Sequence, residues 1–179
     1  LQKAADCHQK SIQIQPNHVD AYNNLGIVFK ELGEYKKAIS CFEKAIKIQP
    51  NFADAHYNLG ISLKELGELQ KAISCFKKII QINPNYAGAH NNLGVIFYEL
   101  REDQKAINFY QKELKLKPDS VNAQANISNI YNSQLDNLEK ATSESYKTLK
   151  MHHETSKFIN QRISLYRLKH DVQQAEYLS

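Results

Sequence analysis

Four asparagines, Asn24, Asn58, Asn92 and Asn126, stand at equal intervals of 34 residues. A carboxamide offers a donor and an acceptor, the two groups that a peptide bond itself presents. A regular row of them could grip the backbone of an extended chain without regard to that chain's side chains, or could simply bond to an adjacent helix. Cys7, Cys41 and Cys75 keep the same interval. Thiols can form disulfides or hold metals, but a shared interval puts all three on one repeated position. Equivalent positions on neighbouring helices lie ~8–10 Å apart, whereas a disulfide needs Cα atoms within ~7 Å. With no CxxC pair, the three read as small packing residues of a reducing, cytoplasmic compartment. The segment "MHHETS" at 151–156 brings His152, His153 and Glu154 together. Consecutive helical residues point ~100° apart, so adjacent histidines do not readily share an ion. No phosphate-binding glycine loop, nucleophile elbow or HExxH appears. The expectation is no catalytic residue, no metal and no cofactor.

The elements that must position these residues follow from the period. Pro16, Pro50, Pro84 and Pro118 are also 34 residues apart. Of the 34 positions from Val19 to Phe52, 22 recur unchanged between Ala53 and Tyr86, and a fixed period of this size is the mark of stacked repeats. Within one period Ala21, Tyr22, Leu25, Gly26, Phe29 and Leu32 form a helical stripe. Gly33 then stops that helix by offering a left-handed cap. A second stripe runs Tyr35, Ala38, Ile39, Phe42, Ala45, Ile46 and Ile48, and Pro50 ends it. Each unit is thus helix, turn, helix, turn. Gly26 and Ala38 are small where two large residues would hold the paired helices apart, and Phe42 fills the space beside them. The set returns as Gly60, Ala72 and Phe76, and as Gly94, Ala106 and Tyr110. Each of the four asparagines precedes a core residue, Leu25, Leu59, Leu93 or Ile127. It therefore lies about 100° round the helix from the core. His56 and His90 share one position with Tyr22 and read as packing residues. Asn126-Ile127-Ser128 fits a glycosylation sequon by chance, in mid-helix.

This pattern resembles the tetratricopeptide repeat, whose period it shares. Leu25, Gly26, Phe29, Ala38, Phe42, Ala45 and Pro50 fall on the family's signature positions, as do Leu59, Gly60, Leu63, Ala72, Phe76 and Pro84. The resemblance implies an all-α solenoid of antiparallel helix pairs, with about eleven helices. One solenoid is expected over 1–179: half a repeat at 1–18, full repeats at 19–52, 53–86 and 87–120, a divergent repeat at 121–155 and degenerate capping helices at 156–179. Departures gather late in the chain. Arg101 replaces the turn glycine, Glu113 stands where Ala45 stood, Ser128 replaces the helix glycine, and "NSQLDNLEKA" needs an extra residue. The opening residues match the second half of a repeat, so a piece of a longer protein is expected.

In this family the first helices line a concave groove. The resemblance places Asn23, Asn24, Lys30, Tyr57, Asn58, Lys64, Asn91, Asn92, Tyr98 and Asn126 along it. Chaperone-binding members hold a peptide's terminal carboxylates with a Lys and an Asn four residues apart on the first helix. Those places hold Asn23 with Ile27, Tyr57 with Ile61, and Asn91 with Val95, so the clamp is missing.

Net charge is +4 and the pI about 8.8, yet Lys and Arg alternate with Glu. A nucleic-acid partner needs a concentrated basic stripe, and none is present. Nor is there an apolar run near the ~18 residues of a membrane span. The function expected is a protein-interaction scaffold that takes an extended peptide or partner segment. "FADAHYNLG" is similar to the repeat arrays of O-linked N-acetylglucosamine transferases, which makes the recruiting arm of a larger enzyme one alternative. A structural part of a ciliary or cytoskeletal assembly is another.

Overall fold

The computed structural model describes residues 1–152 together with residues 164, 165 and 169. The chain divides into two units, Leu1–Ala123 and Gln124–Ser179. Eight helices and no strand occur among the described residues: α1 (Gln2–Ile14), α2 (Val19–Glu31), α3 (Tyr35–Ile48), α4 (Ala53–Glu65), α5 (Leu69–Ile82), α6 (Ala87–Glu99), α7 (Asp103–Leu116) and α8 (Val121–His152). None of them is long and apolar enough to cross a membrane.

Within the first unit three helix pairs, α2–α3, α4–α5 and α6–α7, follow one another, and each second helix packs on the next first helix. The turn inside each pair is the same device three times. The amide of Gly33 donates to the Lys30 carbonyl, and that of Glu34 to the Phe29 carbonyl. Gly67 and Glu68 repeat this with Lys64 and Leu63, and Arg101 and Glu102 with Tyr98 and Phe97. This pair of hydrogen bonds satisfies orphan carbonyls of the helix end and needs a left-handed residue. Gly33 and Gly67 supply it at φ of 75° and 76°. Arg101 is forced into the same region at φ 61°, where a side chain costs about 1–2 kcal/mol. Arg101→Gly is therefore expected to stabilise the protein, by about 1 kcal/mol after the added freedom of the unfolded chain is counted. Urea unfolding measures this, and an unchanged midpoint would mean that the strain at Arg101 does not exceed the entropic cost of glycine.

Packing inside each pair rests on a glycine beneath an aromatic ring. A Cβ on Gly26 would lie 2.5 Å from Phe42, one on Gly60 2.8 Å from Phe76, and one on Gly94 2.5 Å from Tyr110. All three rings are essentially fully buried. The close approach lets Ala38, Ala72 and Ala106, each wholly buried, fill the rest of the helix contact. Neighbouring first helices also touch, α2 with α4 and α4 with α6, while no comparable contact joins α3 to α5 or α5 to α7 among the described residues. The first-helix side of this unit is thus its tighter side.

The third pair carries a half-compensated change, since Glu113 Oε2 is buried without a hydrogen-bond partner. Glu113, at the place of Ala45, is buried, and its Oε1 accepts a 2.8 Å hydrogen bond from the Ser120 hydroxyl. Ser120 stands where Phe52 and Tyr86 stand. A polar pair has replaced an apolar one. Burial, and next the Glu113 charge, push the neighbouring Tyr110 hydroxyl up to about 12.

The helix count differs from the expected eleven. Residues 121–152 form one helix instead of a helix pair. Leu135 occupies the position of Gly33, Gly67 and Arg101, and no glycine or proline is near to cap or break the helix, so it continues. The capping helices expected over 156–179 lie almost wholly outside the described residues.

Candidate functional site

The first helices α2, α4 and α6 carry most of the candidate residues, and the structure joins several of them by hydrogen bonds. Asn58 is buried, and its Nδ2 donates to Oδ1 of buried Asn23 at 3.4 Å. The same Asn58 accepts from Lys30 Nζ at 3.0 Å. One repeat later Asn92 Nδ2 donates to the Tyr57 hydroxyl at 3.2 Å and to the Gly88 carbonyl at 2.8 Å. Both bridges span 35 residues, one period plus one, so each links a first helix to the one before it. Asn91 occupies the position of Asn23 and Tyr57, and its Oδ1 is buried without a partner. Asn24, the equivalent of Asn58 and Asn92, is exposed. Three repeat-equivalent asparagines, Asn24, Asn58 and Asn92, are thus not three equivalent groups.

The remaining candidates are less connected. Tyr98 is 36% exposed, and Lys64 pairs with its neighbour Glu65 at 3.1 Å. Asn126 is half-buried on α8 in the second unit. Tyr57 packs edge-on to Phe76 at 5.9 Å and tilts against Tyr86 at 5.4 Å. Gly88 stands where Asp20 and Asp54 stand, and its missing side chain leaves room for the Tyr57 ring, 3.4 Å from where a Cβ would sit.

The histidines are explained by the turns between repeats. Buried His56 bonds through Nε2 to the Pro50 carbonyl at 2.9 Å, and buried His90 to the Pro84 carbonyl at 3.3 Å. Each imidazole ties a first helix to the proline turn that leads into it. No group of three or more His, Cys, Asp or Glu placed to hold a metal occurs among the described residues. His153 and Glu154 lie outside those residues.

The cysteines are free thiols with graded exposure: Cys7 exposed, Cys41 half-buried, Cys75 buried. Burial pushes the Cys41 and Cys75 thiols up to about 11, the Glu43 charge adding to the effect at Cys75. Folding favours their neutral form, so this contribution to stability is present below pH 9.0 and is lost as pH rises through about 11. A thiolate-directed reagent at pH 8 is expected to modify Cys7 at once and the other two only on unfolding. Mass spectrometry of the labelled protein checks the order, and prompt labelling of Cys75 would contradict its burial.

The period puts the amides on the first helices and leaves open whether each reads a ligand or bonds to an adjacent helix; Asn58 and Asn92 bond to the preceding first helix. The available signal was that polar residues occupy two successive positions, 23–24, 57–58 and 91–92, one of which must turn towards the preceding helix.

A run of antiparallel helix pairs, joined by identical turns and stitched along the first helices, defines a helical-repeat protein. Models of the tetratricopeptide repeat match residues 19–52, 53–86 and 87–120, more than half of the chain. The protein belongs to the tetratricopeptide repeat family. No curated protein matches the chain significantly. Among solved structures it is similar to the crystal structure of MamA, with 27% identity and a TM-score of 0.69 over 82% of this chain and 89% of that one. A second crystal structure of MamA protein shares 27% identity and a TM-score of 0.68, over 86% and 84% of the two chains. The first TPR of Spaghetti (RPAP3), bound to the HSP90 peptide SRMEEVD, shares the fold at 20% identity and a TM-score of 0.63, over 65% and 93% of the two chains.

Proposed function

We propose that the first unit is a scaffold that binds an extended peptide along the face built by α2, α4 and α6. The observation that carries this reading is the polar seam of Asn23, Lys30, Tyr57, Asn58, Asn91 and Asn92, which keeps hydrogen-bonding capacity after its internal bonds are made. Exposed Asn24 is the clearest reserve. First helices ~10 Å apart meet an extended chain, which advances ~3.3 Å per residue, about once every third residue. An amide can then donate to a backbone carbonyl or accept from a backbone amide at each meeting. The fold neighbour bound to an HSP90 peptide supports peptide binding as a use of this architecture.

The seam also determines how the test is built. Asn58→Ala would strand the Asn23 carbonyl and the Lys30 ammonium, and an unsatisfied buried group costs about 1–3 kcal/mol. Asn24→Ala removes an exposed amide and leaves the fold intact. A peptide selected from a random library is expected to bind Asn24→Ala more weakly by ~0.5–1.5 kcal/mol, with Tm unchanged, as calorimetry would read. The acidic chaperone tail SRMEEVD is expected not to bind, because the Lys and Asn clamp is missing. Equal binding of the selected peptide to Asn24→Ala and the parent would refute the amide row as the reading surface, and low-micromolar binding of the tail would refute the exclusion drawn from the missing clamp.

A further inference from the structure

A wide-open surface pocket of about 380 Å³ lies among α3, α4 and α5, lined by Glu43, Ile46, Lys47, His56, Leu59, Ser74, Cys75 and Lys78. Its floor is apolar and its rim is charged. The next repeat shows what such a cavity is shaped to hold. Phe109 occupies the position of Cys75, one period on. Its ring stacks on Phe97 at 5.4 Å with the planes 1° apart, and lies 6.2 Å from the His90 ring. Lys112 Nζ sits over it, 5.1 Å from the centroid. The equivalents of Phe97, His90 and Lys112 are Leu63, His56 and Lys78, and the last two line the cavity. At this junction alone of the two, both rings are exchanged for smaller side chains, Phe97 for Leu63 and Phe109 for Cys75. The histidine and the lysine that flank the Phe109 ring have equivalents here, and the space beside them holds no ring.

The geometry points to a docking site for one aromatic side chain of a protein partner, with an acidic residue beside it. An enclosed apolar cavity of ~150 Å³ admits benzene, so this open pocket has the space for one phenyl ring lying against its apolar floor. Lys78 is placed to cover the ring face as Lys112 covers Phe109, a favourable cation–π arrangement. Lys47 and Lys78 outnumber Glu43 at the rim, which favours a negative flank over a positive one. This site is lined by α3 and α5 with His56 and Leu59 of α4, none of them a residue of the asparagine seam, and it stands or falls separately from that seam.

The probe is the capped dipeptide acetyl-Phe-Asp-amide, titrated into the isotopically labelled chain and followed by amide NMR shifts. Shifts confined to the neighbourhood of Ile46, Leu59 and Cys75 are expected, at least threefold weaker for acetyl-Leu-Asp-amide and for acetyl-Phe-Lys-amide. Cys75→Phe rebuilds the arrangement of the next repeat, so it should keep or raise Tm and weaken the probe at least tenfold. Lys78→Glu, which alters only the rim, should weaken it at least threefold with Tm unchanged. The proposal is overturned by absent or dispersed shifts, by unaltered binding to Cys75→Phe, or by a Tm loss in that variant. Benzoate binding as tightly as the dipeptide would assign the cavity to free aromatic acids and would overturn it too.

Discussion

Phe76→Ala is expected to remove ~3–5 kcal/mol of stability, the range for deleting a buried aromatic side chain. Phe76 is fully buried, closes over Gly60 and meets the edge of Tyr57 at 5.9 Å. Its loss opens a void under a backbone that cannot close in, because α4 and α5 already stand at glycine distance. Tyr57 then loses its support, and with it the hydroxyl that accepts from Asn92. The damage should pass to α6, since each repeat is stabilised mainly by its neighbours. Domains typically hold only ~5–15 kcal/mol in all, so the variant should unfold at much lower urea. A loss below ~1 kcal/mol, within the reach of an ordinary surface change, would show that the ring is not central to the pair.

The repeat boundaries were legible because several independent residues keep one period. Proline, glycine and the large aromatic each mark a different point of the unit, and three complete helix pairs fall where those marks put them. Arg101 shows how strongly context acts: with helices fixed on both sides by packing, the turn forms even with a side chain that resists its φ. Leu135 shows the converse. Where the turn residue and the neighbouring small residues are lost together, nothing overcomes the tendency of the helix to continue, and α8 runs on to His152.

The candidate site was legible only as a list of positions. Periodicity says that Asn24, Asn58 and Asn92 share an orientation, but not which of them has a neighbour within reach. That depends on the preceding repeat: Asn23 and Lys30 engage Asn58, Tyr57 engages Asn92, and Asn24 remains exposed. The cavity beside Cys75 was invisible for a related reason. A cysteine at a packing position looks sufficient until the ring at Phe109 shows how much volume the position can hold.

Gly60→Leu tests the same helix contact from the opposite side. Even the first added carbon would stand 2.8 Å from the Phe76 ring Cζ and 3.1 Å from its Cε1 and Cε2, closer than real side-chain carbons approach. The ring is fully enclosed, so it cannot swing away as an exposed side chain would, and α4 must part from α5. Overpacking of this kind typically costs ~1–3 kcal/mol, occasionally more. A displaced α4 also carries Asn58 away from Asn23 and Lys30, so the seam should fail along with the pair. Combining the substitution with Phe76→Ala separates the causes. If the clash is the mechanism, the leucine occupies part of the space the ring vacates, and the double variant is more stable than the two single losses together predict. Coupling of ~0.5–3 kcal/mol is the usual size for residues in contact. Strict additivity of the two losses in urea unfolding, or a Tm for Gly60→Leu equal to that of the parent, would place Gly60 outside the helix contact.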